Sequence, residues 1–283
     1  MMVDTAPNRS LRTTRVRGCD IAFRDEGHGD PVLLIHGLAG DHSAWDPQIE
    51  AWSRRLRVIA PDSRGAGRST QTDAPTSTAE MAGDFLALMD DLGLERVHVV
   101  GRSMGGSIGQ HMALAAPERI LSLAMLASCA RFDPFGRRCL ENMRDVLAWR
   151  GSWADHARHS VQNFVSPAFY NAEPERAAAI ERLIASSSRL QACYVQQNYA
   201  VLAHDTLDRL HEIRCPVLIL SGGRDPLCGP TATRWMVERL PTAEWVEFEQ
   251  SSHFFLMEEP DRFMAVMARW FDRVCTTGIV AAA

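Results

Sequence analysis

Two hydrophobic rhythms alternate along the chain. Short apolar runs occur at Pro31 to His36, Arg57 to Pro61, Val97 to Val100, Leu121 to Ala127, Pro216 to Ser221 and Glu244 to Phe248. Between them lie segments of helical length and pattern: Trp45 to Arg55, Thr78 to Leu92, Ser107 to Ala116, Ala232 to Leu240 and Pro260 to Phe271. A strand that is apolar throughout must be covered on both faces. Such runs separated by helices therefore predict an α/β fold with a mostly parallel central sheet flanked by helices. Val16 to Arg24 is expected to add an antiparallel hairpin or edge strand ahead of them.

The alternation breaks once. From Arg131 to His211 no strand-like run appears, and the patterns at Arg137 to Arg150, Trp153 to Phe164, Pro174 to Ser187 and Leu190 to Ala203 are helical. Ile213-Arg214-Cys215-Pro216 then restarts the sheet. The expected organisation is a core of residues 16–130 and 212–275, with a helical lid of residues 131–211. An insertion entering straight after a strand end lies over the carboxyl edge of the sheet, where open α/β sheets bind ligands. Residues 1–15 are polar, lack the apolar stretch of a secretory signal, and read as a disordered tail.

Composition narrows the function classes. The 283 residues are 46% hydrophobic and 23% charged, enough apolar material for a large core. A formal net charge of −5 gives no electrostatic case for nucleic acid or an anionic membrane. No segment approaches the roughly 20 apolar residues that span a bilayer. Seven scattered cysteines without a Cys-x-x-Cys pair read as free thiols, which points to a reducing, cytoplasmic setting. They offer no zinc-ligand spacing, and neither a metal nor a cofactor is expected. The expected partner is a small-molecule substrate, with homo-oligomerisation open.

The chemistry concentrates at the ends of the apolar runs. Val97-His98-Val99-Val100 leads directly into Gly101-Arg102-Ser103-Met104-Gly105, followed by a helix-compatible segment. Gly-x-Ser-x-Gly alone is a weak pattern. Between a strand and a helix it is what a nucleophile elbow requires, because small residues two before and two after the serine let the backbone turn sharply. Three more clusters follow strand ends: His36-Gly37-Leu38-Ala39-Gly40, Ser221-Gly222-Gly223-Arg224-Asp225, and Ser251-Ser252-His253 with Glu258 and Pro260 beyond.

These motifs, with Asp62-Ser63-Arg64-Gly65-Ala66-Gly67-Arg68-Ser69, occur in an order that resembles the α/β-hydrolase superfamily from about residue 20 to residue 273. The insertion, with Phe164-Val165-Ser166-Pro167-Ala168-Phe169, and the elbow are similar to those of 3-oxoadipate enol-lactonases. They also resemble meta-cleavage-product hydrolases and cofactor-free esterase/perhydrolases. Ala66 stands where a histidine is common, and Arg102 where Leu, Phe, Asn or His is more usual.

The roles follow from chemical need. A serine hydroxyl requires a base, for which His253 is the candidate, and that imidazole requires a carboxylate to fix its tautomer, for which Asp225 is the candidate. Asp133 is the competing acid, and the Gly-Gly turn before Asp225 favours the latter. The backbone N–H groups of Leu38 and Met104 are the candidate oxyanion donors. Arg102 is a candidate substrate-binding residue, able to clamp a carboxylate; the alternative is an ion pair with a neighbouring acid. The expected function is a serine hydrolase acting on a small ester, lactone or activated C–C bond. A cofactor-free oxygenase or perhydrolase and a non-catalytic binding protein are the alternatives.

Overall fold

The apolar runs become the strands of one eight-stranded sheet in a computed structural model that describes residues 11–187 and 189–275. The strands are β1 (Arg12–Val16), β2 (Cys19–Glu26), β3 (Pro31–Ile35), β4 (Arg57–Pro61), β5 (Val97–Arg102), β6 (Ile120–Leu126), β7 (Val217–Gly222) and β8 (Glu244–Phe248). Their spatial order is β1-β2-β4-β3-β5-β6-β7-β8. Strand β2 pairs antiparallel with β1 and β4, and every other pairing is parallel.

Consecutive strand residues point to opposite faces, and each face has its own core. Leu33, Ile35, Val99, Leu123, Met125 and Ile219 pack on one side with α2 (Thr78–Asp91), α3 (Met104–Ala115) and α9 (Pro230–Arg239). Val32, Leu34, Val100, Ala124, Leu126, Leu218 and Leu220 pack on the other with α1 (Asp46–Trp52), α10 (Phe255–Glu258) and α11 (Pro260–Val274). This two-sided burial is why the strands read as unbroken apolar runs.

Between β6 and β7 the chain forms α4 (Pro134–Arg150), α5 (Trp153–Phe164), α6 (Pro167–Ala172), α7 (Pro174–Ala185) and α8 (Gln191–Leu202). Val161, Val165, Phe169, Ala177 and Ile180 give this layer an apolar cluster of its own. Its attachments go to loops at the carboxyl ends of strands. The Arg189 guanidinium donates to Gly40 O after β3, Gln197 Nε2 to Arg64 O at 2.7 Å after β4, and Phe254 N after β8 to Phe164 O at 2.7 Å. Among the described residues no helix is long and apolar enough to cross a membrane.

Several local expectations are corrected. Within the segment 1–15 expected to be a disordered tail, the structure places β1 from Arg12, and residues 1–10 lie outside the described set. This edge strand carries little hydrophobic signal and is held by cross-strand polar contacts, Arg15 to Asp20 at 2.9 Å and Arg12 to Asp25 at 2.6 Å. Helix α3 begins at Met104 rather than Ser107, because Gly105 and Gly106 serve close packing and do not form a turn. The six-residue α6 escaped notice since it is too short to show a period.

Four buried imidazoles make the fold acid-sensitive. Burial pulls His36, His98 and His156 down to about 4 and His204 to about 3. Unfolded, each titrates near 6.5. The stabilisation from keeping them neutral is thus complete above about pH 6.5 and is lost as pH falls toward 4. We expect Tm to drop steadily across that window, with net proton uptake on unfolding in calorimetry; a Tm unchanged from pH 6.5 to 4.5 contradicts it.

Candidate active site

Strand β5 ends at Arg102, paired with Leu126, and α3 starts two residues later. Ser103 therefore has to turn the chain within one residue, and it does so at φ 52, ψ −117, a conformation that costs a non-glycine residue about 1–3 kcal/mol. Its N–H donates to Leu126 O at 2.8 Å, and its carbonyl accepts from Ser128 Oγ at 2.8 Å. The flanking glycines are sterically required. A Cβ on Gly101 would stand 2.3 Å from the Gly105 carbonyl, and one on Gly105 would stand 2.1 Å from Ile35 O. Gly105→Ala is accordingly expected to destabilise the fold by about 3 kcal/mol or more, since backbone rather than a flexible side chain must move. A denaturant midpoint equal to that of the unaltered protein would refute this.

The second and third residues arrive from neighbouring strands. Asp225 follows β7 and His253 follows β8; both are buried, and Asp225 Oδ2 lies 2.8 Å from His253 Nδ1. Asp225 Oδ1 accepts from the Leu227 and Cys228 amides at 2.7 and 3.1 Å, which fixes the carboxylate plane. A carboxylate facing Nδ1 holds the proton of a neutral imidazole there, leaving Nε2 as an acceptor. The competing acid, Asp133, is occupied elsewhere: its Oδ1 accepts the Phe135 and Gly136 amides at the start of α4. Ser103 Oγ makes no hydrogen bond among the described residues. The elbow and the His253 loop nevertheless adjoin, with the Arg102 guanidinium carbon 5.0 Å from the centroid of the Phe254 ring.

The His36 loop completes the neighbourhood. His36 is fully buried; its Nδ1–H donates to Gly37 O at 2.8 Å, and its Nε2 accepts the Ser63 amide at 3.0 Å. Both nitrogens being used, burial keeps the ring neutral, its pKa pulled down to about 4. A Cβ on Gly37 would lie 3.3 Å from both Ser103 Cβ and Arg102 O, so this loop abuts the elbow. Neither the Leu38 nor the Met104 amide has a hydrogen-bond partner among the described residues. Asp62 buttresses the loop: Oδ1 accepts from the amide and Nδ1 of His42 at 2.7 and 2.8 Å, raising the His42 pKa, and Oδ2 accepts from Arg68 N at 2.8 Å.

Three contributors have no contact assigned from the sequence, although Glu258 and Phe164 stand in its motifs. Glu258 accepts from Ser252 N at 2.9 Å and from Ser166 N and Oγ at 3.0 and 2.6 Å, tying the His253 loop to the start of α6. Phe164 stacks on Phe254 at 4.6 Å and lies 5.9 Å from the His253 ring, forming an aromatic wall. Arg189 reaches Gly40 from the helical layer. All are contacts across the chain with no local signature.

Among the described residues the alternative reading of Arg102, an ion pair with a neighbouring acid, is not seen, and this side chain has no acceptor. Asp225, Cys228 and His253 place three potential metal-ligand atoms within 4.8 Å of one another. The carboxylate and imidazole there already bond each other, and the hydrogen bond with Cys129 (Sγ to Sγ 3.8 Å), together with burial, pushes the Cys228 thiol well up, a poor donor set for a cation. All seven cysteines are free.

Comparison with known proteins agrees with the architecture. Residues 30–260 match the family model described as the alpha/beta hydrolase fold. A protein of Azorhizobium caulinodans named "Putative carbamate hydrolase RutD" is 35% identical over 248 residues, covering 86% of this chain and 92% of that one. A thermophilic esterase from Thermogutta terrifontis, solved with malate bound, superimposes with a TM-score of 0.81 at 28% identity, over 94% of this chain and 98% of the esterase. The enol-lactonase of Burkholderia xenovorans gives a TM-score of 0.80 at 25% identity, over 92% and 99% of the two chains. With its sheet order, its strained strand-to-helix serine and a family match over most of its length, this chain belongs to the α/β-hydrolase fold family and is a hydrolase.

Proposed function

We propose that the chain is a serine hydrolase that cleaves a small ester, lactone or carbamate, with Ser103 as nucleophile, His253 as base and Asp225 as its orienting acid. The observation that carries this reading is the 2.8 Å contact of Asp225 Oδ2 with His253 Nδ1, in a loop adjoining a serine held at φ 52. Carbamate enters because relatives are named for it, and its carbonyl takes the same tetrahedral path as that of an ester.

In this mechanism the Ser103–His253 hydrogen bond forms when substrate enters, as such bonds often tighten only in the complex. Ser103 Oγ bonds to the carbonyl carbon while its proton passes to His253 Nε2, and the imidazolium is stabilised by Asp225. The carbonyl π pair moves onto oxygen, and the N–H groups of Leu38 and Met104, without partners among the described residues, receive that charge. A donor of this kind is typically worth about 2.7–4 kcal/mol in the transition state. His253 Nε2–H then protonates the leaving oxygen as its bond to carbon breaks. Water, deprotonated by the same nitrogen, then attacks the acyl carbon; the Ser103 Oγ–carbon bond breaks, Oγ takes back the proton from His253 Nε2, and the acid leaves. The helical layer of residues 131–211 acts as the lid, excluding bulk water from this charge separation.

A fluorophosphonate probe tests the reading. It should form one covalent adduct per chain, mapping to the peptide containing Ser103, and turnover on a panel of short esters, lactones and carbamates should disappear in step. A folded protein that neither reacts nor turns over any of them overturns the proposal.

A further inference from the structure

Arg102 differs from the other arginines of the fold. The other described arginines that are at least partly buried each donate to an acceptor: Arg24 to Asp46 and Glu26, Arg57 to Asp25 and Arg64 to Asp84, for example. Even Arg189 donates to Gly40 O and to Gln197 Oε1 at 3.1 Å. The guanidinium of Arg102 donates to none. It keeps a little surface open, yet enough protein surrounds it that loss of hydration pulls its pKa down to about 10, and no other charge contributes. At neutral pH it therefore remains a cation that is desolvated and uncompensated, an arrangement that destabilises the empty protein. A packing role alone would be met at lower cost by Leu or Met.

Its position explains what the charge is for. The guanidinium carbon lies 5.0 Å from the Phe254 ring centroid, a cation–π contact that orients the plane, and Nε stands 3.7 Å from the place of a Gly37 Cβ. Gly37 precedes Leu38, and Phe254 follows His253. The head group thus sits between the loop offering the Leu38 amide and the loop carrying the base, on the residue preceding the nucleophile.

We infer that Arg102 is the specificity-determining residue of the site, and that the substrates are esters, lactones or carbamates bearing a second, free carboxylate. A guanidinium presents paired N–H groups that match a carboxylate bidentately, and entry of such a group would supply the missing acceptor. A single cation with no second positive group acting on it suits a monoanion better than a phosphate dianion. The inference rests on Ser103 being the nucleophile.

Matched substrates separate the two ideas. The monoethyl esters of succinate, glutarate and adipate are compared with neutral ethyl esters of equal chain length, for example monoethyl adipate with ethyl hexanoate. The unaltered protein should prefer the anionic member of at least one pair by tenfold or more in kcat/KM. In Arg102→Met that preference should fall at least 30-fold, chiefly through KM, with Arg102→Lys between the two and melting temperatures measured for all. An anionic-to-neutral ratio that is the same in the unaltered protein and in Arg102→Met at every chain length overturns the inference, while turnover of the neutral esters leaves the serine-hydrolase reading standing. Glutarate binding to Ser103→Ala by calorimetry reads the anion site without turnover. Binding that weakens at least tenfold on adding Arg102→Met supports the inference even if hydrolysis fails, and absence of binding overturns it.

Discussion

Replacing Ser103 by alanine should lower kcat/KM for the best ester by about 10⁴–10⁶-fold and abolish fluorophosphonate labelling, with little change in stability. On the proposed mechanism the loss is large because the attacking atom is gone, leaving only the proposed oxyanion donors, the Leu38 and Met104 amides, and substrate binding. Stability should hardly move, since alanine carries a Cβ and meets the same penalty at φ 52 that serine does. Ser103→Gly separates chemistry from strain. It should be as inactive as Ser103→Ala yet more stable, by about 1 kcal/mol or more, because glycine occupies that conformation freely. Steady-state kinetics and urea unfolding of both variants check this, and an alanine variant retaining a hundredth of the activity would remove Ser103 from its role.

Asp225→Asn should cost about 10⁴-fold in kcat while leaving the fold intact. Here the tautomer is the reason. Asp225 Oδ1 is held by the amides of Leu227 and Cys228, so an asparagine would place its carbonyl oxygen there and turn its NH₂ toward His253. An amide donor facing Nδ1 demands a lone pair on that nitrogen. The imidazole proton then moves to Nε2, where it points at Ser103 and cannot accept the hydroxyl proton. The double variant Ser103→Ala, Asp225→Asn should be no slower than Ser103→Ala alone, because the residues act as one unit. Additive losses, or a kcat within tenfold of the unaltered protein for Asp225→Asn, would count against Asp225 as the orienting acid.

Some of this was legible because it is local. The elbow needs only a strand, a serine with glycines two residues either side, and a helix, all within Val97 to Ala115. Asp225 and His253 were found by a different route, namely the order of motifs along the chain together with a family resemblance. Their 2.8 Å contact joins residues 28 apart and has no local signature. The strand runs were legible as strands, and the pleat alone sends Val99 and Val100 to opposite faces; which helices cover each face was decided by the tertiary structure. Strand β1 was missed for the opposite reason: an edge strand of Arg and Thr looks like a polar tail until β2 supplies Asp20 and Asp25 opposite it.

Arg102 shows where the boundary lies. Its place before Ser103 was plain in the sequence and made it a candidate for the substrate, with an ion pair as the alternative. Neither reading could be chosen from neighbours along the chain, because the acids able to pair with it would have to arrive from other strands and loops. Composition, apolar periodicity and motif order thus determined by themselves the α/β architecture and the residue types available for chemistry, since these depend on local sterics and on the need to bury apolar runs. Only the tertiary structure decided which groups meet. It aimed Asp225 at His253 and, among the described residues, left the Leu38 and Met104 amides without partners and set the Arg102 guanidinium against Phe254 with no acid in reach, because hydrogen bonding, desolvation and charge pairing act through space.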